Sequence, residues 1–178
     1  MKGVYIIIIV LIVIVGGAIF FSGENAQDGT QESGVVETTF DAAPLFALPD
    51  FDGNIVSLSD SVGKVRVVNS WAAWCPFCVK ELGDFAQLQE AFPDEIVVIA
   101  INRAESFNTA KKFADEFEVT NRMTMLLDKD DSFYQSIGGF SMPETLFIDG
   151  EGNIRIHKRG PMKFEEMKEK VESIINSL

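Results

Sequence analysis

The segment Val65–Trp71 (VRVVNSW) constrains the fold more than any other stretch of the chain. It is a short run of strand-forming residues that passes through two alanines into Trp74-Cys75-Pro76-Phe77-Cys78. A helical pattern carrying Leu82, Phe85 and Leu88 then follows at once. A buried strand feeding directly into a helix implies a crossover to a further strand of the same sheet. The flanking sequence repeats this alternation. Strands are expected at Leu45–Leu48, Ile55–Leu58, Val65–Trp71, Glu95–Asn102, Met123–Asp128, Thr145–Asp149 and Asn153–His157. Helices are expected over 76–91, 106–118, 131–137 and 163–177. Asp52-Gly53-Asn54 closes one hairpin and Gly150–Gly152 a second. Strand–helix–strand units followed by a hairpin and a closing helix describe an α/β sandwich, a mixed central sheet covered by helices.

Ahead of this domain, Val4–Phe21 is eighteen residues without a charge. As a helix it would span about 27 Å, close to a hydrocarbon core of about 30 Å. Residues 1–21 are therefore expected to be a transmembrane anchor. A cleaved signal peptide competes, because Gly16 and Ala18 offer small residues, but apolar Ile19, Phe20 and Phe21 follow them and suit an anchor better. Lys2 on the short side and Glu24, Asp28, Glu32 and Glu37 on the other put the amino terminus in the cytoplasm. Both readings export the rest of the chain, to the periplasm or the outer cell face. Residues 22–39 are Gly, Ser, Thr, Gln and acid, a flexible acidic linker. Residues 40–178 form the folded domain, of ordinary size for one unit.

Charge narrows the function. The 178 residues hold 15 Lys and Arg against 27 Asp and Glu, a formal net charge of -12. That disfavours nucleic acid, whose affinity rests on cationic contacts to phosphate, and a polybasic membrane-surface module. Two cysteines and one histidine are too few for a structural zinc site of four ligands, so no metal is expected.

Both cysteines sit where a helix begins. Pro76 suits the first helical turn, so Cys75 falls at or beside the N-cap, where unpaired N–H groups and the helix dipole stabilise a thiolate. Cys78, one turn in, faces the core. Cys75 is the better nucleophile and Cys78 the better resolving thiol. A purely structural disulfide across so short a loop would contribute only about 2 kcal/mol, and idle thiols are ill suited to an exported protein. A redox-active Cys75–Cys78 pair is the reading that uses the location.

With those residues in place, WAAWCPFC after a Val-rich strand resembles the active site of thioredoxin-fold proteins. Ser141-Met-Pro-Glu-Thr before Leu146-Phe-Ile-Asp-Gly-Glu-Gly-Asn is similar to their cis-proline loop and hairpin. The apolar leader, the acidic linker, the early hairpin FALPDFDGNIVSLSD and Ile101-Asn-Arg-Ala-Glu-Ser look most like the membrane-tethered TlpA/ResA branch. The resemblance covers about residues 44 to 175. It implies a thioredoxin-like three-layer sandwich with an amino-terminal hairpin extension. It also implies an exported thiol–disulfide oxidoreductase without a cofactor, in many cases a reductant for cytochrome c maturation. The expected partners are a disulfide- or thiol-containing exported protein and an integral-membrane redox partner, with the chain acting as a monomer. Cys75 matches the attacking cysteine, Cys78 the resolving one and Pro143 the cis-proline. Trp74, Pro76, Phe77 and Met142 would line the substrate site, Met142 offering its backbone to an extended segment.

Glu81 is the most informative carboxylate. On helix 76–91 the apolar arc runs from Leu88 through Phe92 and Phe85 to Cys78 and Leu82, and Glu81 falls inside it. A carboxyl there would have a raised pKa and could exchange a proton with Cys78. The ResA-like proteins carry an acid at this position. The competing reading is a glutamate at the edge of the arc, bent out to water or helped by the helix N-terminus.

Two departures leave the potential open. Thioredoxin buries an aspartate where this chain has Asn69, and proline precedes Phe77 rather than the resolving cysteine. Proline in that place resembles DsbA-type oxidants, which carry a histidine where Phe77 stands, so an oxidant is the alternative reading. A Sco-like copper protein would want wider cysteine spacing and a nearby histidine, and a peroxiredoxin-like Thr-x-x-Cys site is missing. Phe107, Ala110, Phe113 and Phe117 are expected in the core, Trp71 and Trp74 in packing, and His157 on a solvent-facing strand position.

Overall fold

The structure is a computed structural model that describes residues 41–177, so the anchor expected over 1–21 and the linker expected over 22–39 lie outside the described residues. Among the described residues no helix is long and apolar enough to cross a membrane.

The described residues form seven strands in order: β1 (Ala47–Pro49), β2 (Ile55–Ser57), β3 (Val65–Trp71), β4 (Ile96–Arg103), β5 (Thr124–Asp128), β6 (Glu144–Ile148) and β7 (Ile154–Arg159). The four α-helices are α1 (Pro76–Ala91), α2 (Phe107–Glu116), α3 (Ser132–Ser136) and α4 (Phe164–Ile175), and a 3-10 turn covers Leu58–Ser61. The central sheet has the order β5-β4-β3-β6-β7. β3, β4 and β5 run parallel, and β6 and β7 each reverse direction. β3 lies in the middle and every one of its residues is buried, as its apolar run anticipates.

Strand periodicity divides the core in two. Val65, Val67 and Trp71 of β3 point to the face covered by α1, α2 and α4, through Leu82, Phe85, Ala110, Met167 and Val171. Val68, with Ile99, Ile101, Leu126 and Leu146, points to the other face. There Phe133 of α3 and Phe46 meet edge to face at 5.3 Å, and Leu58 closes the layer. The result is the three-layer sandwich with a hairpin extension. Phe117 departs from expectation: it ends α2, stays 39% exposed and stacks on Phe113. Phe107 and Phe113 pack on the core from its margin.

The sheet has two functional ends. β3 finishes at Trp71, beside the start of β6, since Ser70 pairs with Glu144, and beside the end of β7, since Glu144 pairs with Arg159. The opposite end holds the β6–β7 turn. There Ala42 bridges Asn153, and the Ile154 N–H donates to the Asp41 carbonyl at 2.8 Å.

Candidate active site

β3 delivers the chain to the dithiol. After Trp71, which is fully buried, Ala72 and Ala73 turn the backbone, and Cys75 becomes the N-cap of α1 with Pro76 in the first turn. Proline fits there because its missing N–H has no helical partner to lose. Cys75 and Cys78 form a disulfide with an S–S distance of 2.07 Å. The Cys78 N–H donates to Cys75 Sγ at 3.2 Å, so a helix-terminal donor is aimed at the Cys75 sulfur. Cys75 is 3% exposed and Cys78 fully buried, whereas Trp74 and Phe77 beside them are 62% and 56% exposed. Trp74 therefore flanks the thiol mouth and does not pack in the core. The turn before Cys75 is held from the segment just after β4: the Ala73 N–H donates to Glu105 Oε2 at 2.8 Å, and Asn102 Nδ2 of β4 donates to the same oxygen at 2.7 Å. Sequence reasoning gave Glu105 no role. Its place in Ile101-Asn-Arg-Ala-Glu-Ser was the available signal.

Glu81 lies one turn past Cys78 and is buried, so it is not bent out to water. Its Oε1 accepts from Asn69 Nδ2 at 3.1 Å and its Oε2 from the Met162 N–H at 3.0 Å. Asn69 Nδ2 also donates to Thr145 Oγ1 at 3.0 Å. Asn69 thus occupies the β3 position facing α1, as Glu81's hydrogen-bond partner. Burial pushes the Glu81 carboxyl up to about 8 against the lowering effect of the Met162 and Asn69 donors; Asp84 adds to the rise and Lys158 opposes it.

The third component is the segment before β6. The Met142–Pro143 peptide bond is cis, Pro143 is buried, and Met142 packs on the core cluster that contains Cys75 and Cys78. Glu144, fully buried, shapes this segment: Oε1 accepts from the Phe140 and Ser141 N–H groups, each at 2.8 Å. His157 Nε2 lies 2.9 Å from Oε2 and Arg159 Nε 3.3 Å from Oε1. Burial works to raise the Glu144 pKa, but the Ser141, Phe140 and His157 contacts outweigh it and hold the carboxyl below its ordinary value. His157 is therefore not a solvent-facing strand residue; a buried carboxylate turns its ring inward. Tyr134 adds a brace, its hydroxyl donating to the Ser141 carbonyl at 2.9 Å, with the Arg103 guanidinium over its ring. A Cβ at Gly139 would stand 2.2 Å from that ring, so only glycine fits. On this braced segment Phe140 is 85% exposed, at the same end of the sheet as Trp74 and Phe77. Sequence reasoning missed Glu144 and Phe140.

Residues 40–157 match the AhpC/TSA family. The thioredoxin-like protein YneN of Bacillus subtilis is 32% identical over 133 residues, which is 73% of this chain and 76% of that one. The thiol-disulfide oxidoreductase ResA of Geobacillus thermodenitrificans is 30% identical over 133 residues, 74% of this chain and 75% of that one. Among solved structures, a putative thiol:disulfide interchange protein DsbE from Chlorobium tepidum superposes with a TM-score of 0.68 at 29% identity, over 78% of this chain and 95% of that one. A cysteine pair closed into a disulfide at a helix start, on this sheet and among these relatives, places the protein: the chain belongs to the AhpC/TSA family and is a thioredoxin-like thiol-disulfide oxidoreductase.

Proposed function

We propose that the chain works outside the cytoplasm, held by residues 1–21, as a reductant of disulfides in exported proteins. The role in cytochrome c maturation expected from the resemblance belongs to this reading. In the dithiol state the Cys75 thiolate attacks one sulfur of a substrate disulfide, and the other substrate sulfur leaves as thiolate. Cys78 then gives its proton to the Glu81 carboxylate and attacks Cys75 Sγ. The second substrate sulfur is released, and Cys75–Cys78 remains as the disulfide. Two electrons have passed from the protein to the substrate, and a membrane-embedded dithiol donor must restore them. The substrate main chain lies along Met142–Pro143, with Trp74, Phe77 and Pro76 around the mouth.

The observation that carries this reading is the buried Glu81, one turn past Cys78 on the helix whose N-cap is Cys75. The same surroundings support this direction. A strong oxidant owes its potential to a stabilised reduced form, with a very acidic attacking thiol. Here the hydrogen bond to Cys75 Sγ comes from the Cys78 N–H. Phe77 has no donor to add.

The Pro76-Phe77 dipeptide is the observation favouring the opposite flow, an oxidant of secreted thiols. A glutathione redox titration of the full chain decides. A potential at or below about -250 mV, near that of thioredoxin, supports the reductant. A value of about -120 to -180 mV, the range of DsbA and disulfide isomerase, supports the oxidant. Absence of a reversible two-electron transition overturns both.

A further inference from the structure

Glu81 and Pro143 belong to different elements, yet one four-residue connection fastens both. β7 ends at Arg159 and α4 begins at Phe164. Between them the Gly160 N–H donates to the Pro143 carbonyl at 2.9 Å. Two residues later the Met162 N–H donates to Glu81 Oε2 at 3.0 Å. The Met162 side chain is 3% exposed and belongs to the cluster that contains Cys75 and Cys78. Lys163 Nζ then stands 3.9 Å from Asp84 Oδ2, on α1 again. The connection has little freedom of its own. Gly160 sits at φ +88°, where L side chains are strained, Pro161 fixes the next φ, and Met162 is locked in the core.

We propose that Gly160 and Met162 are positioning residues that couple the charge on Glu81 to the docking of a substrate main chain at Met142–Pro143. The inference rests on the reading above, in which that segment receives the substrate and Glu81 takes the Cys78 proton. An ionised carboxylate accepts a hydrogen bond about twice as strong as a neutral group does. The connection is therefore drawn more tightly onto α1 when Glu81 is charged. Because Pro161 alone separates Gly160 from Met162, the Gly160 N–H and the Pro143 carbonyl it holds follow that movement. Coupling of this kind is reciprocal: if the charge on Glu81 alters the affinity for a docked chain, the docked chain alters the proton affinity of Glu81 by the same factor. A substrate that has just formed its mixed disulfide with Cys75 thereby readies the acceptor for the Cys78 proton.

The groups around Glu81 allow this. Asn69 from β3 and the Met162 N–H from the connection touch it. Asp84 on α1 and Lys158 on β7 act at longer range with opposite sign, and Lys158 is engaged by Glu166 at 3.0 Å. Cys78 lies one turn back on the same helix.

The test uses the full chain carrying Cys78→Ser, with Cys75 capped through a disulfide in two ways. One cap is the peptide Ala-Ala-Cys-Ala-Ala, which reaches Met142–Pro143. The other is 2-mercaptoethanol, which does not. The Glu81 carboxyl carbon is followed by NMR against pH, along with the Met162 and Gly160 amides. The expected result is a Glu81 midpoint lower with the peptide cap than with 2-mercaptoethanol by about half a pH unit or more, a threefold change in affinity. Both amides titrate with that midpoint, and Glu81→Gln silences both. Met162→Pro removes the N–H; it raises the midpoint by about one to two pH units and makes the two caps equal. Should that variant not fold, the comparison of caps still decides. Equal midpoints with the two caps, a higher midpoint with the peptide, or a Gly160 amide that stays still while Met162 titrates, overturns the coupling. If disulfide turnover nevertheless loses its pH dependence in Glu81→Gln, the proposed function stands without it. Unchanged turnover in Glu81→Gln overturns the reading beneath the coupling, and the coupling with it.

Discussion

Replacing Glu81 by glutamine gives a stability effect whose size follows from the structure. The folded chain raises the carboxyl from its ordinary 4.5 to about 8. Between those limits the folded state holds a proton that the unfolded state has released, so stability falls as pH rises through the window. At about 1.4 kcal/mol per unit, the full loss by pH 8 to 9 is on the order of 5 kcal/mol. Glutamine is neutral throughout and removes the slope. It also fits: Asn69 Oδ1 has no partner among the described residues. A turn of that amide would present it to the new side-chain N–H while the Met162 donor keeps its acceptor. Urea unfolding of the disulfide form, followed by tryptophan fluorescence at pH 5 and pH 9, measures the difference. The two proteins are expected to agree closely at pH 5, with the variant more stable by several kcal/mol at pH 9. A difference that is the same at both pH values would refute the reasoning, because the Glu81 carboxyl would then titrate as an ordinary one.

Cysteine order and the acid limb provide two more tests. Exposed to a peptide disulfide after reduction, Cys78→Ser is expected to accumulate a stable mixed disulfide and Cys75→Ser none, as read by mass spectrometry; the reverse pattern would interchange their roles. Glu144→Ala leaves two N–H groups, His157 and Arg159 without their buried acceptor, at a cost of about 3 to 5 kcal/mol in unfolding experiments. Because the folded Glu144 pKa is depressed, its contribution is complete above the ordinary carboxyl range and is lost as pH falls through the folded value. Glu144→Gln should therefore flatten the acid side of the stability profile, and an unaltered acid limb would count against the buried pair.

The sequence announced β3 and α1 residue for residue because both carry strong local signals: an unbroken strand-forming run, and a proline that starts a helix behind a cysteine N-cap. Glu81 was legible for a related reason, since a charge inside an apolar arc conflicts with helix periodicity. The partners that hold Glu81 were less so. Met162 contributes a backbone N–H from 81 residues away, and a main-chain donor leaves no mark in composition. Glu144 was hidden by its position: a carboxylate just after proline reads as loop, so β6 was expected to start at Thr145. Tertiary pairing with Ser70 and Arg159 draws Glu144 into the strand. His157 was misjudged with it, for its ring turns inward only because of that acid. Phe117 shows the opposite error, a helix-spaced aromatic that falls at the last turn and outruns the sheet beneath it.

Residues 41–43 join the sheet beside the β6–β7 turn, and α4 runs back from the dithiol end until Ser177 Oγ meets Arg155 Nη2 at 3.1 Å. Both ends of the described chain therefore emerge at one pole, with the cysteines at the other. The domain behaves as a plug with its wiring at the back: a fusion partner, surface linker or affinity tag at either end leaves the reactive face clear. Because residues 41 and 177 lie at the same pole, the segment 41–177 could also be grafted into a surface loop of a host protein, with the cysteine end facing away from the host.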